Sequence, residues 1–203
     1  MKSHFLQAKS ISVRFGEQIV LENVDVELRS GEITGVVGPS GSGKTTLLRV
    51  IAGLQTPDSG SISYDGEPTT APGSLAMLDQ HPRMVCNPRW TLSQIITEPA
   101  DIAGRSVDLI AIADRVGLDP ELFTRFPTQV SGGQLQRACL ARVLVGEPAF
   151  LLCDEPTAML DPIATTAVID LLRQLSDAGT AIALVSHDNT LLDRLCTSSR
   201  LQL

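Results

Sequence analysis

The stretch that decides the fold is Gly38-Pro39-Ser40-Gly41-Ser42-Gly43-Lys44-Thr45. It follows a short apolar strand predicted over residues 32–37 and precedes a helix predicted over residues 44–52. The segment matches the pattern G-x-x-x-x-G-K-[ST] in its required setting between a strand and a helix. Its glycines let backbone N–H groups curl around phosphate oxygens, and the helix N-terminus adds positive potential. The segment therefore predicts an α/β fold with a phosphate-binding loop.

Two side chains of this loop have distinct predicted roles. We expect Lys44 to reach the β- and γ-phosphates of a nucleotide and the Thr45 hydroxyl to bind Mg²⁺. The alternative is a glycine-rich turn without a ligand, which leaves the flanking strand and helix unexplained. The predicted nucleotide contacts here are Gly38, Pro39, Ser40, Gly41, Ser42, Gly43, Lys44, Thr45 and Thr46. The expected cofactors are ATP and Mg²⁺.

Strand and helix patterns alternate on both sides of the loop. The chain opens with predicted strands at 5–15 and 19–28, joined by a turn at Gly16-Glu17, and further strands follow at 61–64 and 75–78. Buried strands at 149–153 and 181–185 flank a helix at 163–177. Strands that alternate with helices indicate a parallel sheet.

The stretch from 81 to 130 has a different character, because it is richer in proline and charge. Helices are predicted at 92–96 and 107–116, and Ser131 is expected to cap a further helix that ends near 145. We interpret this stretch as an inserted helical subdomain. The prediction is one domain over 1–203, with a catalytic core of 1–80 and 134–203 and an insertion of 81–133.

Two acids end the apolar strand that precedes the 163–177 helix. Asp154 is predicted to hold Mg²⁺, directly or through water, and Glu155 to polarise an attacking water. The alternative, a helix cap at the strand end, accounts for one acid but not for both.

Composition excludes several classes of function. The chain has 203 residues and a formal net charge of -7, with no basic stripe of the kind that binds nucleic acid. The first residues lack the apolar core of a signal peptide, and no apolar run is long enough to cross a bilayer. The four cysteines form no C-x-x-C pair. We therefore expect a soluble protein of the reducing cytosol without a metal cluster.

A second motif resembles the signature of a known family. Val130-Ser131-Gly132-Gly133-Gln134 resembles the L-S-G-G-Q signature of ABC ATPases, with Val in place of Leu. Ser131 precedes Asp154 by 23 residues (154 − 131), which is also similar to the family. Ser131 at a helix start and two glycines with exposed N–H groups form a second anion site. The resemblance implies a P-loop NTPase core of the RecA type, with an N-terminal antiparallel β subdomain and the inserted helical subdomain.

Other residues match the family by position. Gln80 lies where its Q-loop glutamine occurs, which implies a catalytic and Mg²⁺-sensing role, and His187 resembles its switch histidine. Ala158-Met159-Leu160-Asp161 is similar to the D-loop, often S-A-L-D, with the leading Ser replaced, and implies a nucleotide role for Asp161. Phe15 lies about where an aromatic stacks on adenine, although a core Phe in a strand is an equal alternative.

The resemblance implies partners. Members form a head-to-tail dimer of two ATPase subunits, identical or not, with two ATP molecules between the loop of one and the signature of the other. They act on transmembrane permease subunits, in importers together with an extracytoplasmic solute-binding protein. This implies a peripheral protein at the cytoplasmic face of the cell membrane, with no nucleic acid.

A finer resemblance concerns the cargo. Asn87-Pro88-Arg89-Trp90-Thr91-Leu92 and the later Glu98-Pro99 are similar to the peptide and nickel importer branch, in which this region touches the membrane subunits. Only 16 residues (203 − 187) follow His187, which favours the shorter nickel or metallophore type.

Three other classes stay open at this point. An ABC exporter motor is the main alternative to an importer. A non-transport ABC ATPase of the repair type needs a long coiled coil, and the translation type has two ATPase units, neither of which is present. A stand-alone P-loop kinase or GTPase does not need the 131–134 motif.

Overall fold

A computed structural model describes residues 3–158, 160–196 and 200–203. The strands are β1 (Phe5–Phe15), β2 (Gln18–Arg29), β3 (Ile33–Val37), β4 (Ser59–Tyr64), β5 (Leu75–Leu78), β6 (Phe150–Asp154), β7 (Ala181–Val185) and β8 (Arg200–Gln202). The helices are α1 (Lys44–Ile51), α2 (Pro82–Val85), α3 (Leu92–Ile102), α4 (Leu109–Val116), α5 (Gly132–Gly146), α6 (Pro162–Asp177) and α7 (Asn189–Leu195). Among the helices of these ranges, none has the length and apolar character that a membrane span requires.

The N-terminal strands form an antiparallel sheet in the order β2-β1-β4. β1 and β2 make a hairpin that pairs Phe5 with Arg29 and Phe15 with Gln18. Gly16 takes a φ of 61 in the turn, a value that glycine adopts without steric cost. The predicted antiparallel β subdomain is confirmed.

The other five strands form a sheet in the order β5-β6-β7-β3-β8, and its assigned pairs are all parallel. Every residue of β6 and β7 is buried, as expected for strands covered on both faces. Register pairs Asp154 with Val185 and Val36 with Val185, so β3, β6 and β7 end at one edge. Loops that follow these strands therefore lie side by side, which is where α/β proteins bind ligands.

Successive side chains of these strands enter two cores on opposite faces of the parallel sheet. On one face Leu152, Ala183 and Val36 pack with α1 and the antiparallel sheet. On the other face Leu151, Ile182 and Leu184 pack with the helical segment, α6 and α7. Burial of each large aliphatic side chain contributes about 1.5–3 kcal/mol, so both layers depend on this sheet.

The helical segment is built around α5. Helices α3 and α4 pack against it, and their N-termini are capped by Thr91 and Asp108. The prediction that the first of these helices spans 92–96 is too short, because α3 continues to Ile102 through Pro99. The buried face formed by Ile95, Ile96 and Ala100 keeps the helix intact beyond the proline.

The core on the α5 side of the sheet includes residues on either side of the predicted boundary at 133. Leu92 and Val116 of the helical segment share it with Leu151 of β6 and Leu172 of α6. The division into core and insertion stays a prediction, with α5 as the element that runs from one part into the other.

Candidate active site

The phosphate-binding loop connects β3 to α1 as predicted. Lys44 is the first residue of α1 and only 7% exposed, and its Nζ donates hydrogen bonds to the carbonyls of Gly38 at 2.9 Å and Pro39 at 2.8 Å. Gly43 has a φ of 95, and a Cβ there would lie 2.8 Å from the Val20 carbonyl oxygen. The loop is therefore curved around the Lys44 ammonium group, and only glycine fits at its end.

The N-terminus of α1 has hydrogen-bond donors for an anion. Its N-cap residue is Gly43, which has no side chain that could cap the helix. Within the described ranges, the N–H groups of the first turn are therefore available to an anion. The buried Ser42 Oγ also has no hydrogen-bond partner among the described residues. A buried hydroxyl without a partner is costly unless a ligand completes it. Both features fit a bound phosphate group, and Thr46 lies half-buried in the same first turn.

Thr45 and Asp154 are 109 residues apart in sequence and are joined by a hydrogen bond. Thr45 Oγ1 donates to Asp154 Oδ2 at 2.6 Å, and Asp154 is 2% exposed at the end of β6. Burial raises the pKa of Asp154, the Thr45 hydrogen bond lowers it, and the charge of Asp79 raises it further. A hard cation would offset this buried charge, and two adjacent oxygen donors are the ligands that Mg²⁺ prefers. The residues present therefore fit the ion.

Glu155 is held in an unusual backbone conformation. Its φ is 48, and its N–H donates to the Val185 carbonyl at 3.0 Å. Its side chain is 17% exposed, and Oε1 lies 2.9 Å from His187 Nε2. The pairing follows from the sheet, because β6 and β7 are neighbours, Glu155 directly follows β6, and His187 lies two residues after β7. Strained backbone conformations are often found at functional sites. Here the strained residue places its carboxylate at the edge of the sheet where the phosphate-binding loop also lies.

The signature segment begins α5. Ser131 is the N-cap: its Oγ accepts from the Gln134 N–H at 3.1 Å, and Gln134 Oε1 accepts from the Ser131 N–H at 2.8 Å. This reciprocal capping box occupies the Gln134 side chain within its own chain. Ser131 is exposed and Gly132 and Gly133 are half-buried, so the start of the helix is open to the surface. The buried side chain of Val130 fills the position of the usual leucine.

The other predicted residues occupy separate places. Gln80 lies two residues beyond β5, at the same edge of the sheet as Asp154, since Leu78 pairs with Cys153. Phe15 is 56% exposed, so the alternative of a core Phe is wrong, while its adenine role stays a prediction. Asp161 caps α6, with Oδ1 accepting from the Ala164 N–H at 2.9 Å. Met159 of the same predicted motif lies outside the described residues.

Two residues near the site were not predicted from the sequence. Asp79 follows β5 as Asp154 ends β6, and its charge raises the pKa of Asp154. The signal was present, because an acid after an apolar strand is the pattern that identified Asp154. Gln136 of α5 is 1% exposed, and its Nε2 donates to the Pro156 carbonyl at 3.2 Å. It joins the signature helix to the loop after Glu155, a contact without a sequence pattern.

The sequence of the chain is similar to those of known proteins. Residues 21–158 match the family described as ABC transporter. The chain is 36% identical to the nickel import ATP-binding protein NikE of Escherichia coli (strain 536 / UPEC), covering 96% of the chain and 78% of that protein. It is 38% identical to the NikE protein of Rhodospirillum rubrum, covering 92% of the chain and 73% of that protein.

Solved structures share the fold. An ATP-binding subunit of an ABC transporter superposes with a TM-score of 0.88 at 27% identity, covering 98% of this chain and 88% of that one. The dimeric bacterial ABC transporter cassette MJ0796 superposes with a TM-score of 0.84 at 25% identity, covering 97% and 94%. The α/β prediction with an antiparallel sheet is therefore confirmed.

Proposed function

Since the chain belongs to the ABC transporter family as an ATP-binding subunit, we propose that it hydrolyses ATP to ADP and phosphate and thereby drives nickel import. The cargo class includes free nickel ions and nickel chelates. The observation that carries hydrolysis is the 2.9 Å pair of Glu155 and His187 beside the phosphate-binding loop. The loop binds a nucleotide, and this pair supplies the groups that act on water.

In the proposed mechanism, the loop amides and Lys44 bind the phosphate oxygens of ATP. The Glu155 carboxylate accepts a hydrogen bond from the attacking water and orients it toward the γ-phosphorus. His187 holds the carboxylate in place through Oε1. Thr45 and Asp154 would hold Mg²⁺, which when bound neutralises charge on the β- and γ-phosphates. Gln80, at the same edge of the sheet, is proposed to sense the ion or the water through its amide.

A second ATPase subunit, identical or different, is proposed to complete each site. The exposed N-terminus of α5 presents Ser131 and the amides of Gly132 and Gly133 to the surface. These donors suit the γ-phosphate of ATP bound to a partner in a head-to-tail pair. The structural relative MJ0796 is a dimer, which supports pairing with a second subunit. Asp161, at the start of α6, would lie near the same interface.

Membrane subunits are the proposed targets of the motor. The segment 87–92, which follows α2 and ends at the first residue of α3, carries the exposed Arg89. Trp90 is half-buried and packs on the core. Arg89 is therefore the stronger candidate for contact with a permease. The protein would lie peripherally at the cytoplasmic face of the membrane, with a solute-binding protein on the opposite side.

Import of nickel is favoured over export because the relatives that match nearly the whole chain are nickel import proteins. Peptide import is the second candidate, because the 87–92 and 98–99 patterns are similar in both cargo types. The test is reconstitution with the permease and solute-binding protein in liposomes, with phosphate release measured against nickel and against an oligopeptide. Nickel should accelerate release and enter the liposomes. Stimulation by the peptide alone would assign the other cargo.

A further inference from the structure

Two thiols outside the nucleotide site lie against each other. Cys86 Sγ and Cys139 Sγ are 3.5 Å apart, although 53 residues separate them in sequence. Cys86 follows α2, and Cys139 is in the middle of α5. We infer that this pair is an oxidation site, at which a hydroperoxide converts the two thiols into a disulfide that ties the segment after β5 to the signature helix.

The geometry needs only a small movement. A disulfide has an S–S length of about 2.05 Å, so the sulfur atoms must approach by roughly 1.5 Å. Cys86 ends the four-residue helix α2 in extended backbone, where a small shift is not opposed by a long helix. Cys139 sits in the 15-residue α5 and provides the fixed side of the pair. The other two cysteines have different surroundings: Cys153 is buried in β6 and Cys196 ends α7.

An oxidant can reach the pair. Both thiols line a groove of about 1180 Å³ together with Asp79, Pro82, Pro99 and Arg142. Cys139 is half-buried, and Cys86, although only 7% exposed, lines the same groove. Small uncharged peroxides can therefore approach the sulfur atoms from the groove without unfolding of the core.

The local charges favour Cys86 as the attacking thiol. The hydrogen bond with Cys139 lowers the pKa of Cys86, burial raises it, and the Arg142 guanidinium lowers it. The same hydrogen bond and burial raise the pKa of Cys139. Cys86 is therefore the more readily ionised thiol, and we assign it as the attacking sulfur, with Cys139 as the thiol that later resolves the intermediate.

The chemistry balances with hydrogen peroxide as oxidant. The Cys86 thiolate attacks one peroxide oxygen, the O–O bond breaks, and a proton completes the released water, leaving a sulfenic acid. The Cys139 sulfur then attacks Cys86 Sγ, and the S–O bond breaks with loss of a second water. Two thiols and one peroxide give one disulfide and two waters, and the sulfur atoms supply both electrons.

The disulfide would link two segments that already contact each other near the signature. Arg83 of α2 donates to the carbonyls of Pro127 and Val130, directly before Ser131. The segment after Gln80 is therefore already in contact with the start of the signature, and a disulfide at Cys86 makes a neighbouring contact permanent. Coupling of the nucleotide site to a permease through residues 87–92, as proposed above, requires the segment after Gln80 to shift during turnover, so the disulfide should slow turnover. That part of the inference rests on the proposed function.

The test uses the purified chain treated with hydrogen peroxide, alkylated, and mapped by mass spectrometry. Two of the four thiols should disappear, with a cross-linked peptide pair containing Cys86 and Cys139 and a loss of two hydrogen atoms. Cys139→Ser should stop at a sulfenic acid on Cys86 that dimedone traps. Cys86→Ser should form no disulfide, and the matched control Cys196→Ser should behave like the parent.

ATP turnover is measured on portions of the same oxidised protein taken before alkylation. Turnover by the oxidised parent should fall severalfold and recover after dithiothreitol. Cys139→Ser cannot form the disulfide, so oxidation should not cause this fall in its turnover. Four intact thiols after oxidation, or a disulfide through Cys153 or Cys196, would overturn the site. Full turnover by cross-linked protein would overturn the regulatory role. Absence of turnover before oxidation would count against the proposed function alone, because thiol mapping needs no ATP.

Discussion

His187 Nε2 lies 2.9 Å from Glu155 Oε1, at the ends of two neighbouring strands. The Glu155 side chain is 17% exposed and that of His187 is 52% exposed, so the carboxylate is the more buried partner of the pair. Oε1 makes this contact, and we expect the second carboxylate oxygen to orient the attacking water. This relationship gives the Glu155 carboxylate a defined orientation.

Glu155→Gln should keep ATP binding and lose turnover. The amide preserves shape but no longer attracts the proton of the attacking water, and such groups typically contribute about 10²–10⁴-fold to rate. Nucleotide affinity and phosphate release are measured separately, with Glu121→Gln on the surface as a matched control. Hydrolysis by Glu155→Gln at the parent rate would show that another group orients the water.

Lys44→Ala should weaken ATP binding. A hydrogen bond to a charged group contributes about 1.5–3 kcal/mol, which corresponds to a loss of roughly 10–100-fold in affinity. Lys9→Ala removes an equal charge from an exposed position of β1 and should leave affinity unchanged. Titration with a fluorescent ATP analogue measures both. Equal affinities for the two variants would remove Lys44 from the phosphate site.

Asp154→Asn should separate stability from activity. The folded-state pKa of Asp154 is raised, mainly by burial. The protonated carboxyl is therefore favourable below the unfolded-state pKa, and that contribution is lost as pH rises through the folded-state pKa. Asn removes the buried charge, so the variant should be more stable than the parent at neutral pH and lose this advantage in acid.

Chemical denaturation across pH, without nucleotide, measures this difference. Turnover by Asp154→Asn should be nearly abolished, because a neutral amide is a poor ligand for Mg²⁺. Asp170→Asn, an exposed position on α6, is the control and should change neither property. A variant less stable than the parent at neutral pH would contradict the assigned role of burial.

ATP should bring the Glu155→Gln protein together with a second ATPase subunit, whereas ADP should not. The γ-phosphate is the group that Ser131 and the following amides would contact across the interface. Sedimentation with each nucleotide measures association. A further Ser131→Ala change should weaken it, while Ser106→Ala in an exposed loop should not. Equal association with ATP and ADP would contradict a nucleotide-driven dimer.

Arg89→Ala should uncouple ATP hydrolysis from transport in the assembled complex. Arg89 is exposed in the segment proposed to contact the permease, so soluble ATP binding should survive while transport and permease-stimulated hydrolysis fall together. Arg194→Ala on α7 removes the same charge elsewhere and is the control. Trp90→Ala should instead lower the melting temperature, because Trp90 packs on the core. Unchanged transport by a well-folded Arg89→Ala complex would contradict the docking proposal.

Much of the fold was predictable because its signals are local. The glycine and lysine spacing at 38–45, the apolar strands β6 and β7 and the Ser131 cap are each contained in a few adjacent residues. Three elements were not predicted: α2, α7 and β8 have four, seven and three residues. Such short segments carry too little periodicity to be recognised, and tertiary contacts stabilise them instead.

The sequence by itself determined which residues could bind phosphate, Mg²⁺ and water, because loop glycines and strand-end acids act through local backbone geometry. Only the tertiary structure decided which of them meet. The order β5-β6-β7-β3 brings Thr45 to Asp154 and Glu155 to His187, and packing of α2 on α5 brings Cys86 to Cys139. Parallel strands are joined by long crossovers, so neighbours in the sheet are distant in sequence, and no local pattern specifies the contacts between them.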